Sequence, residues 1–169
     1  MATPVLLETV LLCCVATAAA TDLAWRKIPN ALVLAGLGAA LLLQAGAPLA
    51  WLGGALTGLL LFLPLYVLRG MAAGDVKLMA MVGAFTGAGP ALLVGLATLL
   101  IGGAMALAIV LLRRRGREAL ANVRALLSHA LWRAAGVPLA AAPPASVGGM
   151  PYGVAIALGT ASLVWWRHL

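Results

Sequence analysis

Charged residues are scarce in this chain. Only 9% of its 169 residues are Asp, Glu, Lys or Arg, whereas 64% are hydrophobic, and the mean hydropathy is +1.12. Water-soluble domains carry about 25% charged residues, so the scarcity excludes an ordinary soluble domain. Uncharged runs of roughly 18 residues or more are typical of transmembrane helices. The composition therefore predicts an all-α, polytopic integral membrane protein.

Cysteine is almost absent as well. Cys13 and Cys14 are the only two cysteines, and they are neighbours inside an apolar run. Adjacent cysteines provide neither the ligand spacing of a metal site nor a disulfide framework. We expect both side chains to face lipid or to pack inside, and we expect no metal and no cofactor.

The apolar runs predict about six transmembrane helices in a single membrane domain, residues 1–169. The uncharged stretch from Leu78 to Leu112 would form a helix of about 52 Å, too long for a hydrocarbon core of about 30 Å. We expect it to break at "TGAGP", residues 86–90, because glycine and proline favour a turn. The predicted spans cover residues 4–21, 31–47, 49–68, 75–87, 90–112 and 149–166, with a cytoplasmic connection at 113–148.

The basic residues support this count. The net charge is +7, but the positive residues lie in short segments between apolar runs, which favours membrane topology over nucleic-acid binding. With six spans and the N-terminus on the outer side, Arg167 is the only Lys or Arg residue on that side. The residues then on the cytoplasmic side are Arg26, Lys27, Arg69, Lys77, Arg113, Arg114, Arg115, Arg117, Arg124 and Arg133. This asymmetry supports six spans with the N-terminus outside.

The long connection also shows helical periodicity. Its apolar residues recur at helical spacing and its polar residues avoid that stripe, a pattern typical of a basic amphipathic helix lying on lipid. The stripe comprises Leu120, Val123, Leu127 and Leu131, and the polar positions are Arg117, Arg124, Ser128 and Arg133. We expect this helix to contact the inner leaflet.

Acidic residues number only four: Glu8, Asp22, Asp75 and Glu118. A carboxylate at the bilayer centre costs about 2.5–3.5 kcal/mol, so an acid beside a transmembrane span is a functional candidate. Asp22 ends span one and Asp75 opens span four, both on the cytoplasmic side. Two helices distant in sequence are thus predicted to present carboxyl groups at one depth.

Paired carboxyl groups can activate water. When two of them share a proton, one stays ionised and acts as a general base on water, while the other stays protonated and donates to a carbonyl oxygen. Simpler interpretations remain open at this point. Asp75 could be the N-cap of span four, and Asp22 could pair with Arg26. The pair could also relay protons or bind a cation in a small membrane transporter.

Three segments resemble one known family. "AAGDVKLMAMVGAF", residues 72–85, resembles the GxGD motif of type IV prepilin peptidases, which are intramembrane aspartic endopeptidases. "TDLAWRKIPNALVL", residues 21–34, looks like the segment of that family that carries the first aspartate. "GMPYGVAIALG", residues 149–159, is similar to the closing segment of the short members that serve Flp (Tad) pili.

The resemblance implies an activity and a catalytic pair. It implies an endopeptidase that removes a short basic leader from a prepilin, on the cytoplasmic side and just before the apolar helix of the pilin. By motif position, Asp22 and Asp75 would form the catalytic dyad, and the resemblance does not say which one is the base. An assembly factor of the pilus machinery that has lost catalysis is a further alternative.

The resemblance also implies roles for the neighbouring residues. Gly74 would let the backbone approach its neighbours closely. Lys77 would either extend to the inner interface or tune the charge of the dyad. Pro29 would lie in the first turn of span two. The remaining residues of the matching segments are Ile28, Asn30, Pro151 and Tyr152.

The chain departs from the family pattern in two ways. Ala72 replaces the first glycine of GxGD, and alanine would strain the loop if this position required a positive φ. With only two cysteines, the chain lacks the paired Cys-x-x-Cys motifs of longer members, which also methylate the new pilin terminus. The resemblance thus implies a peptidase without zinc and without methyl transfer.

Overall fold

The structure is a computed structural model that describes residues 4–68, 70–112, 117, 120–121, 123–125, 128 and 150–169. Within these residues the chain forms helices and no strand, which confirms the all-α prediction. The helices with defined bounds are α1 (Pro4–Trp25), α2 (Asn30–Leu43), α3 (Pro48–Val67), α4 (Ala73–Thr86), α5 (Ala88–Leu112) and α6 (Tyr152–Arg167). The chain divides into two compact units, one of Met1–Gly102 with Pro151–Leu169 and one of Gly103–Met150.

Helix α1 continues past the predicted end of the first span. It ends at Trp25 rather than at residue 21, so Asp22 lies in its last turn. Arg26 then adopts a positive φ of 54°, and its N–H donates to the carbonyl oxygen of Asp22 at 2.9 Å. Pro29 precedes α2 with a φ of −63°, one residue before the first turn in which it was expected.

The predicted break after span four is confirmed. Helix α4 ends at Thr86, and Gly87 has a φ of 82° and a ψ of 171°, a positive-φ conformation that glycine adopts without steric cost. The Gly87 N–H donates to the carbonyl oxygen of Gly83 at 2.8 Å. Pro90 lies in the first turn of α5, where its missing N–H leaves no hydrogen bond unmade.

Helix α4 forms the core of the larger unit. It packs against α1, α2, α3 and α6, and every residue from 78 to 85 is buried. Two glycines one helical turn apart, Gly54 and Gly58, bring α3 close to it. A Cβ on Gly54 would overlap the carbonyl oxygen of Gly83, and one on Gly58 would overlap that of Met79. This Gly-x-x-x-Gly contact lets the two backbones touch, as it does between membrane helices.

A polar contact closes the far end of α4. The Gln44 side-chain amide donates to the carbonyl oxygen of Ala84 at 2.7 Å, and so satisfies a helix-end acceptor that lacks an intrahelical partner. Of the cysteines, Cys13 is exposed and Cys14 is half-buried, and both are free thiols.

Among the described residues, three helices are long and apolar enough to cross a membrane: α1, α3 and α5. Helix α2 is apolar but has only 14 residues. Over the described residues the protein is therefore all-helical, with three helices suited to crossing a membrane.

The predicted amphipathic helix lies largely outside the described residues. Those described between 117 and 128 are helical, including Leu120 and Val123 of the predicted apolar stripe. Leu127, Leu131 and Arg133 lie outside the described residues, and so do Arg69, Arg113–Arg115 and Glu118. The amphipathic helix therefore stays a prediction.

Candidate active site

Asp22 lies on the buried face of α1. The buried residues of this helix are Leu11, Val15, Ala18 and Asp22, which follow the spacing of three and four that places side chains on one helix face. The side chain of Asp22 thus points inward, with 8% of the residue exposed. Its Oδ2 accepts a hydrogen bond from the backbone N–H of Gly153, in the first turn of α6, at 2.9 Å.

Asp75 lies in the first turn of α4 and is 6% exposed. The interpretation of Asp75 as the N-cap is wrong, because Ala72 occupies that position and Asp75 is the third helical residue. From there its Oδ2 accepts the N–H of Ala72 at 3.2 Å, which is the returning half of a capping box. A negative charge in this turn also interacts favourably with the helix dipole.

Ala72 adopts an ordinary extended conformation, with φ −83° and ψ 153°. Any L-residue reaches this region without strain. The condition under which alanine would have strained the loop is therefore not met, and the position does not require glycine in this backbone.

The two aspartates come together in the interior. Helices α1 and α4 pack against each other, and the carboxyl groups are close enough for the charge of Asp22 to act on Asp75. The charge of Asp75 also acts on Tyr152, the first residue of α6. Residues from α1, α4 and α6 thus converge on one buried acidic site. Two neighbouring carboxyl groups, one ionised and one protonated, can act on a water molecule as base and acid.

Contacts between the first two motif segments hold the loops around this site. A Cβ on Gly74 would lie 3.4 Å from the Cβ of Ile28, an ordinary van der Waals distance to a side chain, so Gly74 packs beside Ile28 without the close backbone approach that was expected there. The Lys77 ammonium donates to Asn30 Oδ1 at 3.1 Å in an exposed position. Lys77 therefore joins the start of α4 to the start of α2, a link that neither of its predicted roles included.

The third motif segment, residues 149–159, contacts the site through a backbone N–H group. Pro151 immediately precedes α6, and Tyr152 begins it half-buried. The residue that touches Asp22 is Gly153, which sequence reasoning did not single out. The only signal for it was its place as the third residue of Pro-Tyr-Gly.

Glu8 belongs to a different cluster at the other end of α1. It accepts a hydrogen bond from His168 Nε2 at 2.8 Å, and Arg167 lies 3.7 Å away. At 1.5 Å per residue, Glu8 and Asp22 are about 21 Å apart along the helix. Glu8 therefore joins the ends of α1 and α6 and takes no part in the acidic site. In the part of the chain that the structure describes, no three His, Cys, Asp or Glu side chains are grouped so as to hold a metal ion.

The carboxyl pair joins α1, which is long and apolar enough to cross a membrane, to the shorter buried helix α4. This arrangement defines a class: helical proteins with membrane-length helices and a buried paired-acid site. The sequence matches the model of the type IV leader peptidase family over residues 9–107, more than half of the chain. The protein belongs to the type IV leader peptidase family, which indicates a peptidase and gives no support to the transporter alternative. The matched region contains both aspartates and ends before α6. No curated protein and no solved structure gives a significant match.

Proposed function

We propose that this protein is an intramembrane aspartic endopeptidase that removes the short basic leader from type IV or Flp prepilins at the cytoplasmic face of the bacterial inner membrane. The proposal rests on the buried pair of Asp22 and Asp75. Each lies on a different helix, and both helices belong to the region that matches the leader peptidase family.

The proposed chemistry needs only these two side chains and water. The ionised aspartate removes a proton from a water molecule, whose oxygen attacks the carbonyl carbon of the scissile peptide. The protonated aspartate gives its proton to the carbonyl oxygen, and a tetrahedral diol forms. Collapse of the diol breaks the C–N bond: the aspartate that took the water proton gives it to the leaving amine, and a hydroxyl proton of the diol returns to the other aspartate. The backbone N–H groups of Gly153 and Ala72 hold the carboxyl groups in place throughout.

We further propose a single membrane domain with six spans and the N-terminus outside. Helix α4 has 14 residues, about 21 Å, which is short against a hydrocarbon core of about 30 Å. Four other helices surround it, so neighbouring protein rather than lipid meets most of its surface. In this arrangement Asp75 stands at the cytoplasmic end of α4, where water and the basic leader arrive.

Co-expression with a candidate prepilin tests the activity, with leader removal followed by mass spectrometry. We expect the wild type to remove the leader, and Asp22→Asn and Asp75→Asn each to slow cleavage by about 10²–10⁴-fold, the usual contribution of a general acid or base. The matched control is Glu8→Gln, which neutralises a carboxylate of the same helix outside the site and should still cleave. A wild type that leaves the leader intact would contradict the proposal and favour a non-catalytic assembly factor. Normal cleavage by both aspartate variants would contradict it equally.

A further inference from the structure

The first turn of α6 touches the carboxyl group of Asp22 in two ways. The Gly153 N–H donates to Oδ2 at 2.9 Å in a buried setting. A Cβ on Gly153 would lie 3.0 Å from both the Cβ and the Oδ2 of Asp22, and 3.3 Å from its Cγ. Such separations are tighter than ordinary carbon contacts, so any side chain here would push the carboxyl group away from the amide.

We propose that Gly153 is a positioning residue for the catalytic pair: its N–H fixes one oxygen of Asp22, and its missing side chain leaves the space that the carboxyl group occupies. This inference rests on the proposed function and extends its site to a third segment, 131 residues after Asp22 in the chain. Gly153 acts through Asp22, by holding one oxygen of its carboxyl group.

The packing of α1 and α6 supports this role. The two helices lie together, and the contacts of Glu8 with Arg167 and His168 join the start of α1 to the end of α6. At the other end, Gly153 meets Asp22. The antiparallel packing of α1 and α6 therefore brings the first turn of α6 beside the Asp22 carboxyl group.

Gly153→Ala provides the first test, with kcat and KM measured for a purified prepilin in detergent or liposomes. We expect kcat to fall by about 10²-fold, because a displacement near 1 Å at a catalytic group costs that much, while KM stays within about twofold. The matched control is Gly38→Ala on α2, where an added Cβ would meet nothing within 4 Å. It should leave both constants unchanged. Wild-type kcat in Gly153→Ala would overturn the inference, whereas an inactive wild type would instead contradict the proposed function.

A second measurement covers the case in which Gly153→Ala folds poorly, and it needs no activity. In an Asp22→Gly background the Cβ, Cγ and Oδ2 that the new methyl group would meet are all gone. We therefore expect Gly153→Ala to lower Tm clearly in the wild-type background and to change it little in the Asp22→Gly background. An equal loss of Tm, or of folded protein, in both backgrounds would show that the cost of the methyl group does not come from the Asp22 carboxyl group and would refute the inference.

Discussion

At the scale of single residues, the end of α1 carries a backbone conformation that is unusual for its side chain. Among the described residues, Arg26 is the only non-glycine residue with a positive φ. Its N–H closes the last turn of α1 by bonding the carbonyl oxygen of Asp22, as a left-handed residue commonly does after a helix. The backbone near a proposed catalytic residue therefore adopts a conformation that costs energy for any residue other than glycine.

This conformation predicts that glycine is more stabilising than alanine at position 26, the reverse of the usual order in helices. Arg26→Gly and Arg26→Ala remove the same guanidinium and its interactions, so the difference between them isolates the backbone. We expect Arg26→Gly to have a free energy of unfolding about 1 kcal/mol higher than Arg26→Ala, because only alanine has a Cβ that clashes at positive φ. Denaturant unfolding of the two variants in matched detergent measures the difference. An alanine variant as stable as the glycine variant would contradict the observed φ.

Individual residues also show what sequence reasoning could reach. The aspartates were found because a carboxylate beside an apolar run is costly, and that argument depends only on local composition. The role of Gly153 was out of reach, since it depends on a contact between distant parts of the chain. The N-cap prediction for Asp75 was wrong because the N-cap position is occupied by Ala72, whose side chain cannot accept a hydrogen bond.

At the scale of helices, α3 and α4 are placed by backbone contact rather than by large side chains. The neighbouring glycines of α3 differ sharply: a Cβ on Gly54 would overlap the backbone of Gly83, whereas one on Gly53 would meet nothing within 4 Å. Backbone atoms cannot rotate away as side chains do, so the two helices would have to separate.

Alanine at each of these glycines provides a matched pair. We expect Gly54→Ala to lower the free energy of unfolding by about 1–3 kcal/mol, the usual cost of overpacking, and to reduce cleavage as α4 shifts. Gly53→Ala should leave stability unchanged or raise it by up to about 1 kcal/mol, because alanine favours a helix. Denaturant unfolding curves of the two variants measure this difference. Equal stabilities would argue against the close approach of α3 and α4.

The helix bounds illustrate the limits of dividing a sequence at its charges. The first predicted span stopped before Asp22 because a charge marked its end, but a helix does not stop at a charge if the side chain is accommodated inside. The break at Gly87 was predictable, since the preference of glycine for a positive φ depends only on the residue itself. The enclosure of α4 by other helices was not predictable, because apolar residues face protein and lipid equally well and the sequence does not distinguish the two.

At the scale of the whole molecule, the proposed topology makes a prediction for chemical labelling. With Cys13 and Cys14 replaced by alanine, a single cysteine at the exposed Ala45, between α2 and α3, should react with a membrane-impermeant maleimide on spheroplasts. A single cysteine at the exposed Lys27, between α1 and α2, should react only after the membrane is permeabilised. This asymmetry follows from the excess of basic residues on the inner side. The reverse pattern would contradict the orientation with the N-terminus outside.

The position of Gly153 in the chain has a consequence for the time at which activity begins during synthesis. The ribosome adds Gly153 well after Asp75, and at about 5–20 residues per second the interval is about 4–16 s. During that interval the nascent protein already contains both acids but not the amide that orients Asp22. On the proposed role of Gly153, a polypeptide stalled before α6 would insert in the membrane yet cut substrate slowly, so the order of synthesis itself holds back proteolysis until α6 is in place.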